Sequence, residues 1–316
     1  MIQSFVFTTN AVLPVFLIVI LGLIFRRLNI ITESFNNTAS NLVFKAALPA
    51  MLFLNVSTAD IRQEFDLKLI IFTISMTILI YITVWFAGSF FIKNKQSLGS
   101  FVQGAYRSNF ALIGVPLTMS ILGQEAVAKA SIVLAFIVPV LNILAVILLS
   151  ATGENAESGG FVKTMLNIAK NPLIIACFMG IPFSAFHIKL PLIVSNTFNI
   201  LSDLATPLAL LTIGSSLTIV GIKRTFVMSV AAAFIKTAVL PAIFIPVALL
   251  MGFKNTDIGI LFVYFAAPTA VSSYIMSRAM KSDSELSANI VLVSTFLSMI
   301  TCFIGTFILK NAGIIS

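Results

Sequence analysis

The chain has 316 residues, of which 59% are hydrophobic and only 9% are charged, and its mean hydropathy is +1.09. So few polar side chains cannot cover a water-soluble globule of this length, which excludes a soluble protein and predicts one embedded in the lipid bilayer. The formal net charge of +8 is spread through short loops and forms no basic tract, so it does not indicate nucleic-acid binding.

Ten continuous apolar segments of helical length follow one another along the chain. Runs of this kind predict transmembrane helices and exclude a transmembrane β-barrel, whose strands are shorter and alternate in hydropathy. The sequence therefore predicts an all-α integral membrane protein with ten transmembrane helices. The approximate spans are residues 7–25, 37–57, 67–92, 98–122, 127–150, 165–186, 192–220, 225–251, 257–280 and 286–309.

Residues that interrupt helices repeat along these segments. A shift of 158 residues superimposes Pro14 on Pro172, Gly22 on Gly180, Asn41 on Asn199, Pro49 on Pro207 and Tyr106 on Tyr264. Overall identity at this shift is weak, so the prediction depends on these particular pairs. It divides the chain into five-helix repeats at 1–158 and 159–316, with a polar, glycine-rich linker at 151–164. Because each repeat has an odd number of spans, the second is inverted in the bilayer, as in many secondary transporters.

Lysine and arginine are unevenly distributed between the predicted loops. Ten follow odd-numbered spans, namely Arg26, Arg27, Lys93, Lys95, Lys163, Lys170, Lys223, Arg224, Arg278 and Lys281. Six lie on the opposite side, namely Arg62, Lys68, Lys129, Lys189, Lys254 and Lys310. This excess predicts cytoplasmic odd loops and external termini in a multi-pass protein of the cell membrane. The first segment is long and lacks a preceding basic region, so we expect no cleaved signal.

Cysteine and histidine usage gives no indication of a cofactor. Cys177 and Cys302 fall inside predicted spans, and His187 stands alone, so neither a zinc site nor a nucleophilic triad is predicted. The chain also lacks the HExxH and GxSxG motifs and the paired membrane aspartates of intramembrane enzymes. We therefore expect no cofactor and no enzymatic activity.

The fourth and ninth predicted spans carry residues that interrupt a helix. These are Gly104, Gly114 and Pro116, beside Arg107, Ser108 and Asn109, in the fourth span, and Pro268, beside Thr269, in the ninth. Both spans are expected to open near the bilayer midplane. The amino end of an opened half-helix carries about half a positive charge and free N–H groups, which suit a carboxylate. Alternatively, the prolines only kink helices whose neighbours satisfy the freed carbonyls. Interruption at corresponding places of both repeats favours a binding site.

Four ionisable residues lie within the predicted hydrocarbon depth: Lys45, Arg107, Asp203 and Lys236. Each costs about 2.5–3.5 kcal/mol at a helix centre, so each is expected to face protein or water. Lys45 and Asp203 are equivalent in the two repeats, and an ion pair between them would either fix the repeats in register or couple substrate to protons. Two alternatives stay open: Lys236 snorkels to an interface, and Arg107 lies nearer the membrane surface. The hydroxyls of Thr269, Ser272 and Ser273 either bind substrate hydroxyls or bond back to their own helix.

At these residues the chain resembles the auxin efflux carrier family, which includes plant auxin exporters and bacterial permeases linked to malate and malonate. The resemblance covers the whole length, and its motifs are NFALIGVPL (Asn109–Leu117), LPAMLF (Leu48–Phe53), TPLALLTIG (Thr206–Gly214) and AAPTAV around Pro268. It implies a scaffold from spans 1, 2, 6 and 7 and a mobile transport unit from spans 3–5 and 8–10. It also implies that a substrate carboxylate binds where spans 4 and 9 cross, with Asn109 as a polar contact. Ser108 departs from the plant members, which have proline there.

The leading hypothesis is a secondary transporter that moves a small organic anion, such as malate, malonate or an auxin-like acid, by elevator-like alternating access. The predicted substrate-binding residues are Asn109, Ser108, Arg107, Gly114, Pro116, Pro268, Thr269 and Lys45, and those for coupling or charge compensation are Asp203, Lys45 and Lys236. The alternatives are a sodium-coupled organic anion symporter and an anion channel or sensor of the same fold. Sodium and bile acid symporters, of similar architecture, use an acidic residue in the ninth helix. We expect no equivalent sodium site here, because the ninth helix is taken to contain no Asp or Glu before Asp283. Protons as a coupled partner and a homodimeric assembly stay open.

Overall fold

The computed structural model describes residue 14 and residues 17–58, 66–153, 170–186, 188–217 and 219–315. Within these ranges the chain forms helices and turns, and the extended pairing is one isolated bridge between Ser108 and Thr269. The prediction of an all-α protein is confirmed for this part of the chain. Most of the predicted linker, His187 and the beginning of the first predicted span lie outside the described residues.

The described helices are numbered here in chain order. They are α1 (17–27), α2 (Glu33–Leu42), α3 (Leu48–Ser57), α4 (Leu67–Phe91), α5 (Lys95–Tyr106), α6 (Val115–Leu122), α7 (Gln124–Thr152), α8 (Pro172–Ala185), α9 (Leu192–Asp203), α10 (Ala205–Ser216), α11 (Ile219–Phe234), α12 (Leu240–Leu250), α13 (Thr256–Ala266), α14 (Ser272–Ala279) and α15 (Ser284–Asn311). Three π-helical turns precede α3, α6 and α12, at Val43–Ala47, Phe110–Gly114 and Ile235–Val239 respectively.

Six helical segments of the described chain are long and apolar enough to cross a membrane. They are Glu33–Ser57, Leu67–Phe91, Lys129–Thr152, Leu192–Ser216, Lys223–Leu250 and Ser284–Asn311. Each coincides with one of the predicted spans, and α8 and α13 are shorter apolar helices. The structure is thus that of an α-helical membrane protein with several spans, whereas the number ten stays a prediction.

Each of the three π-turns ends two residues before a proline, at Pro49, Pro116 or Pro241. Proline has no N–H to donate to the carbonyl four residues back, which disturbs the regular α-helical ladder. The residue preceding each proline donates its N–H five residues back, from Leu48 to Val43, from Val115 to Phe110 and from Leu240 to Ile235. Prolines therefore mark the places where these helices widen.

Two contacts between helices depend on glycine. A Cβ atom at Gly22 in α1 would lie 2.3 Å from the Leu211 carbonyl oxygen in α10. A Cβ at Gly180 in α8 would lie 3.1 Å from the Phe53 carbonyl oxygen in α3. The two glycines are 158 residues apart (180 − 22), and so are the two residues that they contact (211 − 53). Helices equivalent under the shift therefore make equivalent contacts.

The buried apolar side chains form two hydrophobic clusters. The first joins α4–α7 with α11–α13 and α15. The second joins α1, α3, α8 and α10 and reaches one face of α7, α14 and α15. Helices from the two predicted repeats therefore pack together, since α1 and α3 share a core with α8 and α10.

Charged residues gather at two ends of the bundle. At one end Arg278 pairs with Glu33, and Arg224 lies 2.7 Å from Glu285. At the other end Lys129 lies 2.9 Å from Asp66 and also contacts Asp257. These groupings agree with the two sets of loops in the sequence, while the orientation of the ends in a membrane stays a prediction.

Candidate functional site

Two helices are interrupted at the centre of the bundle, as predicted for the fourth and ninth segments. Helix α5 ends at Tyr106 before the π-turn at Phe110, and α13 ends at Ala266 before α14 begins at Ser272. The two interruptions pair as short antiparallel strands through Ser108 and Thr269. The Asn109 N–H donates to the Pro268 carbonyl at 2.8 Å, and the Ala270 N–H donates to the Arg107 carbonyl at 3.3 Å. Main-chain atoms thus connect the two interruptions.

The hydroxyls of Ser108 and Thr269 stabilise these helix ends reciprocally. Ser108 Oγ donates to the Tyr264 carbonyl at 2.7 Å, and Thr269 Oγ1 donates to the Gly104 carbonyl at 2.6 Å. Pro268 stands four residues after Tyr264 and has no N–H to offer that carbonyl. Both predicted substrate contacts therefore donate their hydroxyl protons to backbone carbonyls, and a role in binding substrate stays a prediction.

The amino ends of two half-helices line one cavity. Phe110 and Ala111 begin the first of them, and Val271 and Ser272 begin the second. The first N–H groups of a helix have no acceptor within their own helix, and the helix dipole makes this end positive. The cavity therefore has two positively polarised walls.

The cavity has a volume of about 60 Å³. Its walls are mostly apolar, and among the described lining residues the only charge is that of Arg107, with no carboxylate. The polar side chains of the lining belong to Asn55, Arg107, Ser108, Asn109, Asn142, Thr206 and Ser272. An anion with a small carbon skeleton suits such a lining.

Three side chains help to hold Arg107 in place. Arg107 directly follows the last residue of α5, and it is only 4% exposed. Its Nη2 atom donates to Asn142 Oδ1 at 2.7 Å and to Ser272 Oγ at 3.0 Å, while Nη1 lies 3.0 Å from Met276 Sδ. The Asn142 amide is itself fixed by donating to the Val138 carbonyl at 2.8 Å. The guanidinium is therefore oriented at the cavity before any ligand arrives.

The other predicted residues of the first interruption have distinct places. Asn109 lines the cavity and is 7% exposed. A Cβ at Gly114 would lie 2.2 Å from the ring of Phe110, so glycine makes room for that ring. Pro116 is the second residue of α6 and lies two residues after the π-turn that precedes this helix. In the second interruption, Pro268 contributes its carbonyl to Asn109.

Lys45 and Asp203 are not brought together as expected. Both are exposed on the protein surface, and within the described ranges no ion pair joins them. The helices place both side chains outside the packed bundle, which explains why equivalence in the repeat does not produce contact. Neither residue lines the cavity described above.

Lys236 is buried instead of snorkelling to an interface. It is 1% exposed, and its Nζ atom donates to the carbonyls of Phe265 at 2.5 Å and Tyr264 at 3.2 Å. It therefore lies behind the second interruption, and it is absent from the cavity lining.

The expectation that the ninth segment has no acidic residue before Asp283 was wrong. Asp257 stands in the first turn of α13, where the positive helix end favours a carboxylate, and it pairs with Lys129. It lies at the end of the bundle beside Asp66, away from the interruption. Among the residues that the structure describes, no cluster of His, Cys, Asp or Glu could hold a metal ion.

Three polar residues of the cavity were not singled out from the sequence: Asn55, Asn142 and Thr206. Asn142 could have been found, because it is an isolated amide in the otherwise apolar segment of α7. Asn55 and Thr206 come from α3 and α10, so their position in the lining depends on how these helices pack against the interruptions.

A helical bundle with several apolar helices long enough to span a bilayer defines the class of α-helical integral membrane proteins. The family model described as membrane transport protein matches residues 7–159 and 160–305, and the chain belongs to this family. It is a membrane transporter and not an enzyme.

Curated relatives match over nearly the whole chain. An uncharacterized transporter of Methanocaldococcus jannaschii is 24% identical over 96% of this chain and 99% of its own length. A putative malonate transporter of Rhizobium meliloti is 24% identical over 93% of each chain. An uncharacterized transporter of Escherichia coli is 21% identical over 86% of this chain and 88% of its own.

Proposed function

We propose that this protein is a secondary transporter that moves a small organic anion across the cell membrane by alternating access. The observation that carries the proposal is one cavity bounded by two half-helix amino ends and the Arg107 guanidinium. Backbone N–H groups at such ends bind carboxylates, and an arginine can bind both oxygens of a carboxylate at once. Asn109 and Asn142 add amide groups that can hydrogen bond to the same solute.

The proposed substrates are mono- and dicarboxylates such as malonate, malate or an auxin-like acid. The apolar part of the lining, which includes Leu48, Leu134 and Ile275, suits a carbon skeleton between or beside the charged groups. The similarity to a putative malonate transporter of Rhizobium meliloti supports this class of substrate.

The proposed architecture is ten spans in two inverted five-helix repeats, with the two interrupted spans crossing inside the bilayer. The contacts of Gly22 with Leu211 and of Gly180 with Phe53 support it, because they are equivalent under the 158-residue shift. The family model supports it as well, because its two matched segments meet at residues 159 and 160, beside the predicted boundary. Both termini are proposed to be external.

The proposed motion is that of one group of helices against another. Helices α1, α3, α8 and α10 share the second hydrophobic cluster, and α4–α6 and α11–α13 share the first. The cavity lies between them, since Met51 and Thr206 line it from α3 and α10, while Arg107, Asn109 and Asn142 line it from the other group. Displacement of the group that carries Arg107 would move a bound anion relative to the membrane.

The test is uptake of labelled malonate, malate and indole-3-acetate into proteoliposomes of the purified protein, with and without a pH gradient. We expect saturable uptake of one acid and counterflow, in which unlabelled acid inside the vesicles accelerates entry of the labelled acid. Arg107→Gln is expected to abolish uptake, whereas Lys310→Gln at the exposed end of α15 is expected to have no effect.

The same measurement separates the proposal from its alternatives. Flux that does not saturate and shows no counterflow would identify a channel, and binding without flux would identify a sensor. Uptake that requires a sodium gradient would identify a sodium-coupled symporter.

A further inference from the structure

The last turn of α13 exposes carbonyl groups that have lost their helical donors. The Tyr264 carbonyl would accept from residue 268, which is a proline without an N–H. The Phe265 carbonyl would accept from Thr269, whose N–H donates instead to Ser294 Oγ at 3.0 Å. The carboxyl end of a helix carries about half a negative charge, so this buried end attracts a cation.

Lys236 occupies this position. Its Nζ atom donates to the Phe265 carbonyl at 2.5 Å and to the Tyr264 carbonyl at 3.2 Å. Ser108 Oγ completes the surroundings of the Tyr264 carbonyl at 2.7 Å. Backbone carbonyls at the ends of interrupted helices are also the groups with which transporters coordinate coupling cations such as Na⁺. The ammonium group thus stands where a bound metal ion could stand.

The helix that carries Lys236 is shaped locally for this contact. Lys236 is the second residue of the π-turn Ile235–Val239, which precedes Pro241. A π-turn changes the direction in which its side chains project, and such turns are frequent at functional sites. Thr237 donates its hydroxyl to the Ala233 carbonyl at 2.9 Å within the same turn.

We infer that the Lys236 ammonium is a built-in substitute for a coupling cation at the carboxyl end of the interrupted helix α13. The inference rests on the proposed function, because it concerns the charge that the transport site carries. A covalently attached cation neutralises the carbonyl groups without a bound metal ion, so the protein needs neither Na⁺ nor K⁺. Removal of the side chain leaves a buried space lined by carbonyl oxygens, which a small monovalent cation can enter.

The first experiment measures thermal unfolding of the purified protein in NaCl, KCl, methylammonium chloride and choline chloride at equal ionic strength. The wild-type protein is expected to unfold at the same temperature in all four salts. Lys236→Ala is expected to unfold at a lower temperature in choline chloride and to regain at least about 3 °C in one of the smaller cations, saturably. Lys223→Ala, at an exposed position of the same helical segment, is the matched control.

Further variants keep the inference open to contradiction if Lys236→Ala does not fold. Lys236→Arg retains the charge and is expected to behave like the wild-type protein in all salts, and Lys236→Gln is expected to respond to cations as Lys236→Ala does. Saturable stabilisation of the wild-type protein by Na⁺ or K⁺ would overturn the inference. A folded Lys236→Ala or Lys236→Gln protein that unfolds at the same temperature in all four salts would do so as well.

The second experiment measures anion uptake in the same salts and separates this inference from the proposed function. Wild-type uptake is expected in choline chloride, whereas Lys236→Ala is expected to lose at least about ten-fold in choline and to recover in a small cation. Uptake by the wild type in choline combined with a cation-insensitive variant would refute only the role of Lys236. A cation-responsive variant of a protein that transports no anion would refute only the proposed function.

Discussion

The Arg107 side chain illustrates how a charged group can be prepared for a ligand. Asn142 and Ser272 accept from its Nη2 atom, so part of the guanidinium is already fixed in direction. A ligand that binds to a fixed guanidinium avoids most of the entropic cost of immobilising a long side chain. The Asn142 amide, which Val138 fixes in turn, therefore belongs to the site even where it does not touch the solute.

Asn109→Ala is expected to lower anion uptake about ten-fold or more while leaving the protein folded. The change removes one amide group from the cavity and little packing, and a hydrogen bond to a charged ligand accounts for a loss of this size. Uptake kinetics measure the loss of transport, and size-exclusion chromatography measures whether the variant is folded. Asn196→Ala, at an exposed position of α9, is the control, and wild-type uptake by Asn109→Ala would remove Asn109 from the site.

Helix ends are positioned by residues outside the cavity. Asp66 caps α4 by accepting from the Leu69 N–H at 3.0 Å, and its other oxygen lies 2.9 Å from Lys129 Nζ. Burial raises the pKa of this carboxyl, but the hydrogen bonds from Lys129 and Leu69 more than offset burial, and its pKa falls below the ordinary value of 3.8. Asp257 shares the same lysine.

The depressed pKa of Asp66 predicts how stability depends on pH. The carboxylate stabilises the folded state above the unfolded-state pKa, and this contribution is lost as the pH falls below 3.8 and through the lower folded-state pKa. Asp66→Asn is expected to lower the free energy of unfolding at neutral pH and to make it decline less steeply below about pH 4. Thermal unfolding of the wild-type protein and the variant at a series of pH values measures the stability at neutral pH and its decline in acid. Identical slopes for the two proteins would contradict the prediction.

The close approaches at Gly22 and Gly180 are expected to tolerate no methyl group. Gly22→Ala and Gly180→Ala should each lower the free energy of unfolding by about 1–3 kcal/mol. The added Cβ would lie 2.3 Å from the Leu211 carbonyl oxygen in the first variant, and 2.9 Å from Val56 Cβ and 3.1 Å from the Phe53 carbonyl oxygen in the second. Gly88→Ala is the control, since its Cβ would meet only the flexible end of Leu98 at 2.9 Å. If Gly22→Ala or Gly180→Ala were as stable as Gly88→Ala, the close approach described for that glycine would be contradicted.

Helices and interruptions could be predicted from the sequence, but contacts between distant side chains could not. Long apolar runs specify spans, and Pro116 and Pro268 lack the N–H that a regular helix needs, so both features are local. Ser108 and Thr269 were predicted as substrate contacts, yet each hydroxyl donates to a carbonyl of the other interrupted helix. Lys45 and Asp203 were placed together by the repeat alone, yet both are exposed and no ion pair in the described part of the chain joins them.

At the scale of the whole molecule, Arg278 connects three helices at one end of the bundle. Its guanidinium contacts Glu33 and lies 3.0 Å from both Asn37 Oδ1 and Ser216 Oγ, so α14 is joined to α2 and α10 at one end of the bundle. These contacts hold α14 against α2 and α10 at that end. The partial exposure of the ion pair limits its contribution.

Arg278→Gln is expected to open the cavity toward that end more often. A cysteine introduced as Thr206→Cys, with Cys177 and Cys302 replaced, should react about two- to five-fold faster with a membrane-impermeant maleimide applied from the Arg278 side. Arg278→Gln removes the contact with Glu33 and changes no residue that lines the cavity. Lys310→Gln serves as the control, and an unchanged labelling rate would show that these contacts do not restrict access.

The pairing of the two interruptions through peptide groups has an evolutionary consequence. The bonds from Asn109 to Pro268 and from Ala270 to Arg107 join main-chain atoms, which every amino acid supplies except where proline removes the donor. Substitutions around the cavity can therefore accumulate without dismantling the place where the helices meet. Homologues that have diverged to 21–24% identity can therefore retain this junction while the surrounding side chains change.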